Sequence, residues 1–291
     1  MKTAKLAKSY RIDDGKRFRL KDFDPADTGH LHSVDQAREH LQKDIVRMTD
    51  LQAKLYAQGC WSVLLIFQAM DAAGKDGTIK HVMTGVNPEG VQVSSFKTPS
   101  ATELQHDFLW RTGQRLPERG HIGIFNRSYY EEVLVVRVHP HVLENETLPP
   151  SLITKNIWEE RFEDIRCFER HMARNGTVIR KFFLYLSKQE QKRRFLARLE
   201  EPEKNWKFSA ADIHEREYWD DYQKAYEEMI RHTATKHAPW YVIPADNKWF
   251  THLAVSAAIV ETLEELGPAY PKVDAAKRKQ LRAARLTLVK K

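Results

Sequence analysis

QAMDAAGKDGTIKH, residues 68–81, follows an unbroken apolar run, WSVLLIFQ (61–68), and leads into a helical pattern from about Thr78. A loop of small residues between a buried strand and a helix is the setting in which a backbone can wrap a phosphate. Ala72, Ala73, Gly74 and Gly77 let main-chain N–H groups approach phosphate oxygens, the helix start adds partial positive charge, and Lys75 adds a full one. The match to G-x-x-x-x-G-K-[ST], the Walker A pattern, is imperfect. Ala69 stands at the first glycine and Asp76 at the Ser/Thr position, so the hydroxyl that would hold magnesium is missing. Asp71 is the natural replacement, because magnesium prefers carboxylate and phosphate oxygens. The bland alternative is an ordinary helix start with small residues after a strand.

Outward from this loop, helical and strand patterns alternate. Further short apolar runs lie at 91–96, 121–125, 178–186 and 240–243. Continuous apolar runs separated by helices predict a parallel sheet covered on both faces. A long helix is expected over 33–59, with Ser33 and Gln36 as a capping box, Leu41, Ile45, Met48, Leu51 and Leu55 as its stripe, and Gly59 as its stop. Other helices are expected over 101–111, 152–174 (with Ile153, Ile157, Ile165, Phe168 and Met172 as the stripe), 188–200, 212–233 and 247–265. The fold class is therefore α/β, a three-layer sandwich of P-loop kinase type around a central parallel five-stranded sheet. Residues 31–270 form the single domain, with a basic extension at 1–30 and a basic tail at 271–291.

The net charge of +7 is concentrated at the ends. Residues 271–291 carry eight Lys or Arg against one Asp, and the first twenty residues seven against two, so the body between them is acidic. This argues against a basic face that binds nucleic acid. No apolar run approaches a membrane span, and the N-terminus lacks the apolar core of a secretory signal. Two cysteines suit a reducing compartment, so the expected location is cytoplasmic. The thirteen histidines show no zinc-like spacing, and of the seven tryptophans only Trp206 is a stacking candidate.

The runs MDAAGKDGTIKHVMTGVNPEGVQVSSFKTPSATELQHDFLWR (70–111) and GIFNRSYYEEVLVVRVHP (123–140) resemble the polyphosphate kinase 2 family, as do segments 183–209 and 238–250. The resemblance covers about residues 30–265. It implies a phosphotransferase that moves phosphoryl groups reversibly between inorganic polyphosphate and AMP or ADP, with guanine nucleotides as further acceptors, needing Mg2+ and acting as a homodimer or homotetramer. An Asn at 126, where other branches carry Asp, resembles the branch that accepts both mono- and diphosphates. The implied catalytic residues are Asp71 (also the metal ligand), Lys75, Asn126 and Arg127. Phosphate would be held by Ala72, Ala73, Gly74, Lys75, Asp76 and Gly77, with Lys97 and Arg111 along the path. Arg127, Tyr130 and Glu131 would face the nucleotide. Asp246 and Lys248 are further candidates for base or ribose contact, although Asp246 or Asn247 reads equally well as a helix N-cap.

The segment KRRFLARLEEPEKNWKFS predicts a cationic lid over about 188–211, broken at Pro202. Arg194 and Arg198 lie four apart, on one helix face, and join Lys204 and Lys207 as candidate polyphosphate ligands. By itself such a run reads as a solvated basic face; beside a phosphate loop it reads as a lid. The alternative function is an ATP-dependent P-loop kinase acting on a small molecule or nucleoside monophosphate.

Overall fold

A computed structural model of the chain describes residues 4–31 and 33–289, and the outermost residues of both basic ends lie outside them. The chain opens with α1 (Ala4–Lys8) and a two-residue strand, β1 (Arg11–Ile12). The long helix follows as α2 (Val34–Gln58), with both ends set by the residues the sequence indicates. The Ser33 hydroxyl accepts from the Gln36 N–H at 3.4 Å, and Gly59 closes the helix at φ 61°, a conformation that glycine adopts without strain. Next come β2 (Ser62–Gln68), α3 (Lys75–Val82), β3 (Val91–Ser95), α4 (Trp110–Gly113) and β4 (Ile122–Asn126). The second half contains α5 (Val135–Val138), α6 (Ile157–Arg174), β5 (Thr177–Tyr185), α7 (Lys188–Glu200) and α8 (Ala210–Glu215). It ends with α9 (Trp219–Thr233), β6 (Trp240–Pro244), α10 (Lys248–Leu266) and α11 (Ala275–Val289).

The sheet order is β1-β6-β5-β2-β4-β3. The five expected strands all pair in parallel, and β1 adds a sixth, antiparallel to β6. Every residue of β2 is buried, and its side chains divide the core. Val63, Leu65 and Phe67 join the cluster containing Leu51, Leu55, Phe250 and Ala254 from α2 and α10. Leu64 and Ile66 join the other, with Phe162 and Ile165 of α6 and Met229 of α9. Helices therefore cover both faces, which is why the strands read as continuous apolar runs.

Three expected helices are shorter than the sequence suggests. Over 101–111, Ser100 and Glu103 cap each other's backbone, but the Asp107 carboxylate then accepts from Leu109 N–H at 2.9 Å and starts the chain afresh, leaving only a single turn before α4. The helix expected from 152 begins at Ile157, because the Thr154 hydroxyl accepts from Asn156 N–H and holds a turn; Ile153 stays exposed outside it. The span 212–233 splits into α8, a short turn at Arg216–Tyr218, and α9. At the N-terminus, residues set apart as an extension pack inward. Leu6, Ala7, Tyr10, Phe18 and Leu20 are all buried. Among the described residues no helix is long and apolar enough to cross a membrane.

Candidate active site

The loop from Ala69 to Gly74 leaves the C-terminal end of β2 at the centre of the sheet, where open α/β folds bind ligands. Two of its residues are left-handed, Ala72 at φ 62° and Gly74 at φ 99°. Gly74 is the N-cap position of α3. At this helix start, N–H groups lack helical partners and can turn to an anion. An added Cβ at Gly77 would meet nothing within 4 Å, so this side of the loop is open. Lys75 is the first helical residue, and its ammonium folds back to donate to the Ala69 carbonyl at 2.8 Å. Burial lowers the Lys75 pKa, as does the Arg127 charge, while Asp71, Glu131 and Asp76 oppose both.

The neighbouring strand supplies the opposite wall. Arg127, just past β4, is left-handed at φ 64° and donates its N–H to the Phe67 carbonyl at 3.0 Å, which pins the end of β4 to β2. A non-glycine residue held there is strained by about 1–3 kcal/mol, and two of the four such residues described, Ala72 and Arg127, belong to this site. The Arg127 guanidinium stands 3.4 Å from Asp71 and 3.8 Å from Glu131. Burial works against its charge, but Glu131 and Asp71, together with Tyr226 and Tyr222, oppose it and the pKa rises. Burial raises the Glu131 pKa against the pull of Arg127 and Lys75. Asn126 donates to Asp76 at 2.5 Å, tying the strand end to the first turn of α3.

Helix α7 meets the loop from the other side. Arg194 is buried, and its five N–H donors go to Glu190, to the carbonyls of Ala72 and Ala73, and to those of Ala245 and Asp246. The sequence reading put this guanidinium on polyphosphate; in the structure its donors brace the Ala69–Gly74 loop against α7 and the end of β6. Gln191 donates to the Asp71 carbonyl at 3.0 Å and accepts from Arg216 at 2.8 Å. Arg198 pairs with Asp212 at 2.9 Å, Lys204 with Glu201, and Lys207 lies over the exposed Trp206 ring. Burial raises the Asp212 pKa, and the Asp71 charge raises it further, against the pull of Arg198.

Tyr130, read as a nucleotide contact, is fully buried; its hydroxyl donates to Glu169 at 2.7 Å and accepts from Lys181 at 2.9 Å. Asp246 accepts from Ser187 N–H, and neither it nor Asn247 caps α10 with its side chain. Burial lowers the pKa of Lys248, and so do Arg194, Lys204 and Arg193, against the pull of Glu190. Lys97 and Arg111 line a cavity of about 370 Å³ together with Arg127 and Glu131. Arg111 donates to the Lys97 carbonyl at 2.8 Å and lies over Phe96. Glu132, Glu146, Arg161 and Asp212 gave no signal in the sequence, because their partners are far along the chain. Among the described residues, no group of three or more His, Cys, Asp or Glu side chains is gathered to hold a metal.

A family model described as polyphosphate kinase 2 (PPK2) matches residues 31–269. The chain is 54% identical over 284 residues to an ADP-polyphosphate phosphotransferase of Rhodopseudomonas palustris, covering 97% of this chain and 98% of the relative. It is 48% identical over 273 residues to an AMP/ADP-polyphosphate phosphotransferase of Meiothermus ruber, covering 94% and 98%. The crystal structure of polyphosphate kinase 2 from Arthrobacter aurescens TC1 superposes with a TM-score of 0.87 at 38% identity, covering 96% of each chain.

Proposed function

The chain belongs to the polyphosphate kinase 2 family, and on that premise we propose that it transfers the terminal phosphoryl group of inorganic polyphosphate to AMP and ADP, reversibly. The observation that carries this reading is the position of Arg127. It touches Asp71 of the phosphate loop and also lines the cavity beside it. A donor phosphate on the loop and an acceptor phosphate at the cavity mouth are thereby brought to one guanidinium, whose planar fork suits phosphate.

The acceptor oxygen is already anionic at neutral pH, so the reaction needs no strong general base. It attacks the terminal phosphorus in line, the bond to the bridging oxygen breaks, and the shortened polyphosphate departs with that oxygen as an anion. The obstacle is repulsion between two polyanions. Lys75 and Arg127 offset it as fixed charges in a partly dry site, and positioning supplies the rest. Magnesium fits beside Asp71: the carboxylate is about one-third exposed, its Arg127 contact is a long 3.4 Å, and this ion commonly takes one or two carboxylates plus phosphate oxygens. When bound it neutralises charge on the transferring group.

Lys97 and Arg111 extend the positive path, and Lys248 with Lys204 mark its other side. We place the protein in the cytoplasm, where the two exposed free thiols, Cys60 and Cys167, stay reduced, and take it to act as a homodimer or homotetramer. Lys75→Ala tests the site: transfer from polyphosphate falls by at least two to three orders of magnitude while thermal melting is nearly unchanged. Near-normal turnover in that variant would remove the loop from the mechanism.

A further inference from the structure

The basic C-terminal helix adds nothing to the core or to the site described above. Every described side chain of α11 is exposed, including Leu281, Leu286, Leu288 and Val289 at 52–76%. Gly267 ends α10 in a left-handed turn at φ 55°, and Pro268 and Pro271 keep the segment that follows out of helix. Asp274 is the last acidic residue of the chain, and its carboxylate is engaged as a cap, accepting from the Lys277 N–H at 2.7 Å. Beyond it the helix carries Lys277, Arg278, Lys279, Arg282 and Arg285 with no carboxylate. Arg278, Arg282 and Arg285 lie four and three apart, so they share one face, with Lys279 beside Arg282. Elsewhere on the surface such cations are answered: Arg47 by Glu264, Lys54 by Asp50, Arg231 by Glu227. Among the described residues, no cation of α11 has a carboxylate partner.

Resting on the polyphosphate-donor reading above, we propose that α11 is a tethering arm for long-chain polyphosphate. Its arginine face holds a distant stretch of the same chain whose terminal phosphoryl group lies at the Ala69–Gly74 loop. Charge selects this occupant. Like charges at these spacings repel along the helix, and a 15-residue helix without packing is marginal in water. A polyanion laid along the arginines removes that repulsion, and each planar guanidinium can grip phosphate oxygens in pairs. A second copy of the same helix would add to the repulsion. The geometry then makes the arm selective for donor length. Helix α10 starts at Lys248, two residues past Asp246, whose carbonyl Arg194 holds beside the loop. From there it runs 19 residues, about 28 Å, before the arm begins. Tripolyphosphate is too short to touch both places. A long chain reaches both, and its second contact forms at a high effective concentration. The arm captures and retains the donor; it takes no part in the transfer itself.

The test compares the full-length wild type with the full-length variant R278Q/R282Q/R285Q, which keeps the chain length and puts another good helix former at each position. Donors are tripolyphosphate and long-chain polyphosphate, with magnesium and ADP. In the variant, KM for the long chain is expected to rise at least about tenfold, with kcat and the KM for tripolyphosphate unchanged. That difference shrinks as salt is raised from about 0.05 to 0.5 M, because exposed charges are screened. Equal KM of the two proteins for the long chain overturns the proposal. An equal rise for both donors overturns it too, since that marks a disturbed site rather than a lost tether. A smaller molecular mass of the variant by light scattering, with its polyphosphate affinity intact, assigns α11 to a second copy of the chain and has the same force. Calorimetric titration with long-chain polyphosphate in the absence of nucleotide keeps the two readings apart. A wild type that makes no ATP yet binds the chain more tightly than the variant defeats the phosphotransferase reading and leaves the arm standing.

Discussion

Arg194 and Arg198 share a helix face, and the spacing of the sequence presents them as equivalent lid cations. Their surroundings make them different residues. Arg194 donates to the carbonyls of Ala72 and Ala73, more than 120 positions earlier, whereas Arg198 answers Asp212. Main-chain acceptors leave no trace in side-chain spacing, so this brace was illegible until the fold was known. Lysine cannot span four carbonyls and a carboxylate with one ammonium. Arg194→Lys is therefore expected to cut kcat by about 10–100-fold, the scale of a small misplacement of catalytic groups, which steady-state kinetics measures. An unchanged kcat would show that the loop holds its shape unaided. Glu132 gives a prediction in pH. Burial, with Glu146 beside it, pushes its pKa up to about 7 from 4.5. The folded state thus keeps a proton that the unfolded chain releases earlier. The stability tied to that proton is complete below pH 4.5 and is lost as pH rises through 7. Glu132→Gln does not titrate, so its melting temperature relative to wild type should climb between pH 4.5 and 8. A pH-independent difference would contradict the assignment.

Elements with explicit end signals were legible. The helix α2 begins and ends at the cap residues Ser33 and Gly59, and the loop of small residues sits between β2 and α3 where the sequence places it. Elements decided by competition between local hydrogen bonds were not. Asp107 restarts a helix that periodicity alone would carry through, and Thr154 delays another. The strand β1 is two residues long, too short to show any alternation, and its place is fixed by pairing with β6. The two basic ends therefore part company. Residues before 21 contribute five buried apolar side chains, whereas no side chain of α11 is buried. At about 1.5–3 kcal/mol for each large buried side chain, removing residues 1–20 costs several kcal/mol, a large share of an ordinary domain's stability. Urea denaturation should show that loss, while removal of residues 275–291 leaves the midpoint nearly unchanged. Equal effects of the two truncations would contradict this account of the N-terminus.

In the whole molecule, three layers bring β2, β4 and their loops to one edge, and the chemistry follows from that placement. Lys75, Asp71 and Arg127 are up to 56 residues apart yet meet because β2 and β4 are parallel neighbours. Parallel order was readable from the unbroken apolar runs, and so was the small-residue loop between β2 and α3. The buried charges were not. Lys181 sits in the middle of β5 at 0% exposure, satisfied by Glu169 of α6 and the Tyr130 hydroxyl, and no local pattern announces such partners. The same holds for the cluster in which Arg161 joins Glu132 and Glu146 from three separate segments. The central claim is that this edge moves phosphate from polyphosphate to a nucleotide. The most direct test incubates purified protein with magnesium, long-chain polyphosphate and either AMP or ADP, with Lys75→Ala in parallel, and separates the products by chromatography. The account predicts ADP and ATP from the wild type and neither from the variant. Absence of product from polyphosphate, with ATP phosphorylating another acceptor instead, would contradict it.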